Sequence, residues 1–229
     1  MAGTIFEKSS TSLRLWFYAM YLMSATRCGI SAKQIQRETG VTYKTAWRMF
    51  KQIRTLMSEN ISLEGSSVEM DETYVGGHRR NGKRGRAAGP AGEKAPVIGA
   101  VERGGKVIAL VSDNVTKETL HGIAKKYVLP DSIVYTDSFS GYNGLEKVNG
   151  YQHRRINHAA GIYVMGDIHT NTIEGFWSLV KRGIGGVYHS VSKKYLQTYL
   201  NEYSFRYNRR NEGQPMFTSL LGKVVETAE

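Results

Sequence analysis

The chain has 229 residues, 41% of them hydrophobic, with four prolines, which is enough to bury a core and shows no sign of wholesale disorder. Lys and Arg outnumber Asp and Glu by 31 to 20, a net charge of +11, and this favours a polyanionic partner, nucleic acid first. The single cysteine, Cys28, excludes an internal disulfide or a multi-cysteine zinc site and suits a reducing cytoplasm. The apolar run at 15–25 is too short for the ~30 Å hydrocarbon core of a bilayer, and MAGTIFEKSS lacks the zones of a secretory signal.

Apolar residues at 13, 16, 17, 20 and 21 follow helical spacing, with Ser12 or Thr11 as the cap. After Gly29, Ile30 and the run Ser31-Ala-Lys-Gln34 read as a hydrophobic staple and capping box that open a short helix ending near Gly40. Thr42 caps the next helix. In it Ala46, Trp47, Phe50, Ile53 and Met57 face inward, while Lys44, Arg48 and Lys51 share the outer face. Helix, glycine turn and basic helix make a helix-turn-helix candidate for DNA binding, although a hairpin with a merely solvated basic face has the same pattern.

Beyond the polar stretch 59–66 the period switches to strands, at 67–75, 97–102 and 106–112, the last two joined through Arg103-Gly-Gly105. The basic run at 76–95, with Arg79, Arg80, Lys83, Arg84, Arg86 and Lys94 among glycines, reads as a phosphate-binding loop or a solvated hairpin tip. A helix over 116–127, short strands at 133–135 and 151–156 and a long helix over 169–181 complete an α/β order with a mixed sheet. Residues 193–210 interleave Tyr and Phe with bases at helical spacing, a core-packing pattern with Arg209 and Arg210 exposed.

Three carboxylates carry the chemistry. Asp71 lies within the first strand, Asp137 just past the strand at 133–135, and Glu174 on the long helix, where Asn171, Glu174, Ser178 and Lys181 recur as one stripe. If the two strands are neighbours, the first two acids meet. Hard oxygen ligands suit Mg²⁺ or Mn²⁺, and two such ions ~4 Å apart activate an attacking oxygen and stabilise a departing one. Lys181, with Arg182 beside it, would hold a phosphate backbone there. In the blander reading Asp137 is a strand-end turn residue and Glu174 pairs with a base one turn away. His169 fits a hydrogen-bonded place at the helix start better than a metal site, and His153 and His158 have no metal-pair spacing.

The strings DETYVGG with its basic Gly-rich sequel, YTDSFSGYNGL, HTNTIEGFWSLVKRGIGGVYHSVSKKYL and YLNEYSFRYNRR together resemble the bacterial ISXO-like insertion-sequence transposases, over about residues 3–216. The resemblance implies a DDE-class enzyme with a ribonuclease H-like catalytic domain at 66–190, a mixed α/β sheet with flanking helices. A small all-α helix-turn-helix region at 1–60 would precede it and a helical C-terminal extension at 191–229 would follow. The implied activity is metal-dependent strand cleavage and strand transfer at the ends of a mobile element, with two Mg²⁺ or Mn²⁺ ions. Asp71 and Asp137 match the first two acids; the third position is either Glu174 or Asn171. Glu174 is favoured because an anionic oxygen binds a metal better than an amide, and because Lys181 lies seven residues on. Expected partners are double-stranded DNA, both element ends and target, and at least one further copy of the chain, in the cytoplasm at the nucleoid. Family members commonly carry a Cys-rich zinc ribbon ahead of a GTIFEKS-like segment, whereas this sequence opens at MAGTIFEKSS. Two rivals stand beside this reading: a helix-turn-helix regulator, and a ribonuclease H-like nuclease without strand transfer.

Overall fold

The computed structural model describes residues 3–26, 28–76, 94–156 and 169–226. The basic side chains Arg79, Arg80, Lys83, Arg84 and Arg86 lie outside the described residues, as does His158. Helix α1 (Leu13–Ala25) buries Trp16, Ala19, Met20 and Met23. Its inward face is rotated from the expected one: Phe17 and Tyr21 stay 36% and 52% exposed. Phe6 meets both Trp16 and Phe17 edge-on, and Tyr21 leans on Phe217 near the C-terminus, so partners distant in sequence decide the face.

Helix α2 (Ala32–Thr39) starts where the Ser31 side chain accepts from the Gln34 N–H, and it ends at Gly40 with φ 70°. That left-handed turn strains any residue with a Cβ. Thr42 caps α3 (Tyr43–Leu56) by accepting from the Thr45 N–H. The expected helix, turn and helix are all present, and Ala46, Phe50 and Ile53 are buried as the pattern requires.

Strands β1 (Ser67–Val75), β2 (Ala95–Glu102), β3 (Val107–Val111), β4 (Ile133–Thr136) and β5 (Gln152–Arg155) form one sheet in the order β3-β2-β1-β4-β5. The first three pair antiparallel; β1, β4 and β5 pair parallel. This is the mixed sheet with flanking helices that the sequence leads one to expect. Helix α4 (Lys117–Tyr127) covers one face, where Leu120 and Ala124 meet Met70, Ile98 and Val134. Helix α5 (Asn171–Gly183) and helix α6 (Lys193–Asn208) cover the other, where Ile173, Trp177, Val180, Leu196 and Leu200 meet Val97, Val101 and Val107. The edge of β3 is closed by α6 side chains: Gln197 and Asn208 accept from the backbone N–H groups of Val111 and Val107 at 2.8 and 2.7 Å, which blunts an otherwise open strand.

Two features differ from the pattern expected at the C-terminal side. The helix expected from 169 begins at Asn171, and α5 runs on into a π-helical turn at Ile184–Tyr188. Phe205 of α6 and Leu220 and Val224 of α7 (Met216–Glu226) pack into the same core as α1, α2 and α3, so the C-terminal segment completes the N-terminal helical layer. No helix among the described residues is long and apolar enough to cross a membrane.

Candidate active site

The site begins with strand register. Parallel pairing sets Glu69 opposite Tyr135, the last pair of that ladder, an offset of 66 residues; the same offset separates Asp71 from Asp137, and the two acids lie near enough for the Asp137 charge to act on Asp71. Strand β4 ends at Thr136 because Asp137 turns the chain: its Oδ1 accepts from the Phe139 N–H at 2.8 Å. Asp137 is thus a strand-end turn residue and a neighbour of Asp71 at once.

Asp71 points to the α5 side of the sheet. The Trp177 indole N–H donates to its Oδ2 at 3.0 Å. The ring can lie flat there because β2 offers a glycine directly opposite Asp71: a Cβ on Gly99 would come within 2.5 Å of the Trp177 ring. Burial, then the charges of Glu72 and Asp137, raise the Asp71 carboxyl from 3.8 to about 7, against the opposing pull of the Trp177 hydrogen bond. Glu72, one residue on, faces the α4 side, where the Tyr142 hydroxyl donates to its Oε2 at 3.2 Å. Burial and the charges of Glu72, Asp71 and Asp137 push the Tyr142 phenol far up, so it remains a neutral donor.

Asp71, Glu174, Trp177, Lys181 and Arg182 line an open cavity of about 470 Å³ between β1 and α5. Glu174 is exposed on the first turn of α5, and its Oε1 accepts from the Thr170 hydroxyl at 2.8 Å. Neither Asn171, exposed at the start of the same helix, nor Asp137 is part of the lining. Lys181 and Arg182 bring two cations to the far wall. Ser178 completes the stripe expected from spacing. Among the described residues no three His, Cys, Asp or Glu side chains converge as a preformed metal cage.

The remaining expected DNA contacts lie elsewhere. Lys44, Arg48 and Lys51 are exposed on α3. Arg48 Nη2 donates to the Glu7 carbonyl at 3.0 Å, and Lys51 Nζ stands 5.8 Å from the Tyr195 ring centroid. His169 Nδ1 lies 3.2 Å from Glu69 Oε1, just before the start of α5.

Spacing alone missed Glu69, Glu72, Tyr142 and Trp177. One signal was available: three acids within four residues of a strand, Glu69, Asp71 and Glu72, where acids are depleted. In metal-free protein the Asp71 carboxyl should titrate near pH 7 by carbon-13 NMR, and Trp177→Phe should push it higher by removing a donor to the ionised form. An Asp71 that titrates in the ordinary aspartate range would contradict this geometry.

Residues 62–208 match the ISXO2-like transposase domain. An uncharacterised protein in the transposable element ISH50 of Halobacterium salinarum is 32% identical over 239 aligned positions, covering 99% of this chain and 79% of the relative. An uncharacterised transposase-like protein of Haemophilus influenzae is 37% identical over 103 positions, 45% of this chain and 81% of that one. Among solved structures, a pre-cleavage Mos1 transpososome aligns over 93% of this chain and 78% of its own, at 8% identity and a TM-score of 0.32. From the extent of the domain match and the near full-length relative, the chain belongs to the ISXO2-like transposase family.

Proposed function

We propose that this transposase is of the DDE type and that Asp71, Asp137 and Glu174 hold divalent cations, Mg²⁺ or Mn²⁺, to cut and rejoin DNA strands at the ends of a bacterial insertion sequence. The observation that carries this reading is the nearness of Asp71 on β1 to Asp137, just past the end of the adjacent parallel strand β4, with the Asp71 carboxyl raised by burial and by neighbouring acids. The residues fit such an ion: the donors are all carboxylate oxygens, the choice of hard cations, and their mutual repulsion is relieved by a bound positive charge. When bound, the ions supply activation of the attacking oxygen and stabilisation of the departing one.

The chain's own groups do the rest. Lys181 and Arg182 draw the scissile strand's phosphates to the cavity mouth, and Trp177 fixes the orientation of Asp71. Glu174 supplies the third carboxylate from α5, ahead of Asn171, because it lines the cavity. Exposed Lys44, Arg48 and Lys51 on α3, with the basic residues Arg79, Arg80, Lys83, Arg84 and Arg86, track duplex phosphates of element end and target. Synapsis of two ends calls for a dimer or larger assembly, working on DNA in the cytoplasm at the nucleoid.

A strand-transfer assay with a pre-cleaved element end tests the reading. Wild type with Mg²⁺ should join the end to target DNA. Asp137→Ala should give no product while its affinity for duplex stays within about threefold, since phosphate contacts dominate binding. Cleavage without joining would make the protein a nuclease, and metal-independent binding without nicking would make it a regulator.

A further inference from the structure

We propose that Glu69 is the positioning residue that holds the acid-bearing segments in register, an inference that rests on the DDE reading above. Its carboxylate is fully buried yet takes no part in the cavity. Oε2 accepts from the backbone N–H groups of Thr172 at 2.8 Å and Ile173 at 3.0 Å. Oε1 accepts from the Thr172 hydroxyl at 2.9 Å and from Arg103 Nε at 2.8 Å. Arg103 Nη2 in turn donates to the His169 carbonyl at 2.9 Å, and its guanidinium carbon lies 3.8 Å from the Tyr135 ring centroid.

This node touches the strand or helix of every proposed ligand. On β1, Glu69 is two residues before Asp71. On α5, the N–H groups it binds belong to the two residues before Glu174. On β4, Tyr135 is two residues before Asp137 and is the register partner of Glu69. Helix N-termini are ordinarily capped by the residue just before them. Here Thr170 does not cap α5; its hydroxyl donates to Glu174 instead. A carboxylate over a hundred residues away takes that place, at the positive end of the helix dipole, so the axial position and rotation of α5 are set by β1. Reacting groups tolerate little displacement, and a 1 Å shift from a remote change costs on the order of 100-fold in rate.

Glu69→Gln keeps the volume and one acceptor but places an amide where Arg103 donates. The nitrogen-15 resonance of the Trp177 indole, assigned by its loss in Trp177→Phe, reports whether α5 still sits against Asp71 without any reference to activity. At temperatures where the variant is folded, the Trp177 resonance should shift and the single-turnover cleavage rate should fall by about tenfold or more, with duplex affinity within about threefold. A purely structural cap would lower the melting temperature and leave both the resonance and the rate of the folded protein unchanged, which would overturn the proposal. Should Glu69→Gln fail to fold, Thr172→Val removes only the hydroxyl donor. It should shift the same resonance and lower the rate, and unchanged values would overturn the proposal equally. Cleavage undiminished in Asp71→Asn would remove the DDE reading, while the Trp177 resonance would still judge Glu69 by itself.

Discussion

Asp71→Asn is expected to raise the melting temperature of the metal-free protein at pH 8 by several degrees while cutting metal-dependent strand cleavage on the order of a thousandfold. Both effects have one cause. The Asp71 carboxyl is raised from 3.8 to about 7 by burial and by the Glu72 and Asp137 charges, so below its native value the folded protein keeps a proton that the unfolded chain has already released. Stability therefore falls as pH climbs from about 4 to about 7, and the full penalty applies above that. A shift of this size corresponds to at most about 4 kcal/mol, and with relaxation of the site a gain of about 1–3 kcal/mol is expected for the amide. The gain should shrink to well under about 1 kcal/mol at pH 4, where the folded state is protonated and the unfolded carboxyl is roughly half protonated. Denaturation of wild type and Asp71→Asn at pH 4, 6 and 8 with a chelator present checks the sign; equal stability at all three would contradict it.

Glu202→Ala is expected to produce the largest loss of stability, about 3–5 kcal/mol. Glu202 is fully buried on α6 between two arginines: Arg54 of α3 donates from Nε at 2.7 Å, and Arg206 donates from Nη2 at 2.8 Å. Arg54 is itself 1% exposed and stacked between the rings of Phe50 and Tyr199, at 3.7 and 3.5 Å from their centroids. Arg206 also donates to the carbonyls of Met23 and Thr26 at the end of α1. Removing the carboxylate strands two cations in the core that joins α1 and α3 to α6. A fall in melting temperature of roughly 6–20 °C should follow, with loss of duplex binding near physiological temperature. A change within about 1 kcal/mol, as for an exposed pair, would show that the network carries no such weight.

The contrast between these two clusters explains what could be read from the chain. The positions of Asp71 within a strand and of Asp137 just past one were legible because the strands carry local patterns, and the 66-residue interval between them equals the register offset of β1 and β4. The caps Ser31 and Thr42 were legible because each is a local bond to a backbone N–H three residues on. Arg54 and Glu202 were not, because a buried ion pair spanning 148 residues leaves no local trace, and Arg54 reads as one more base on an amphipathic helix. Glu69 was hidden likewise: its partners lie on α5 and in the β2–β3 turn, and only the fold brings them to it. The start of α5 was misplaced by two residues because its cap is tertiary. Of Glu174 and Asn171, Glu174 is the one that lines the cavity beside Asp71.

The central claim is that Asp71 and Asp137 jointly hold the catalytic cation. Crystals soaked in Mn²⁺ and measured at its absorption edge test it most directly. The account predicts an anomalous peak shared by the two carboxylates, with the third protein ligand coming from α5. A Mn²⁺-active protein whose peak lies away from both aspartates would contradict it.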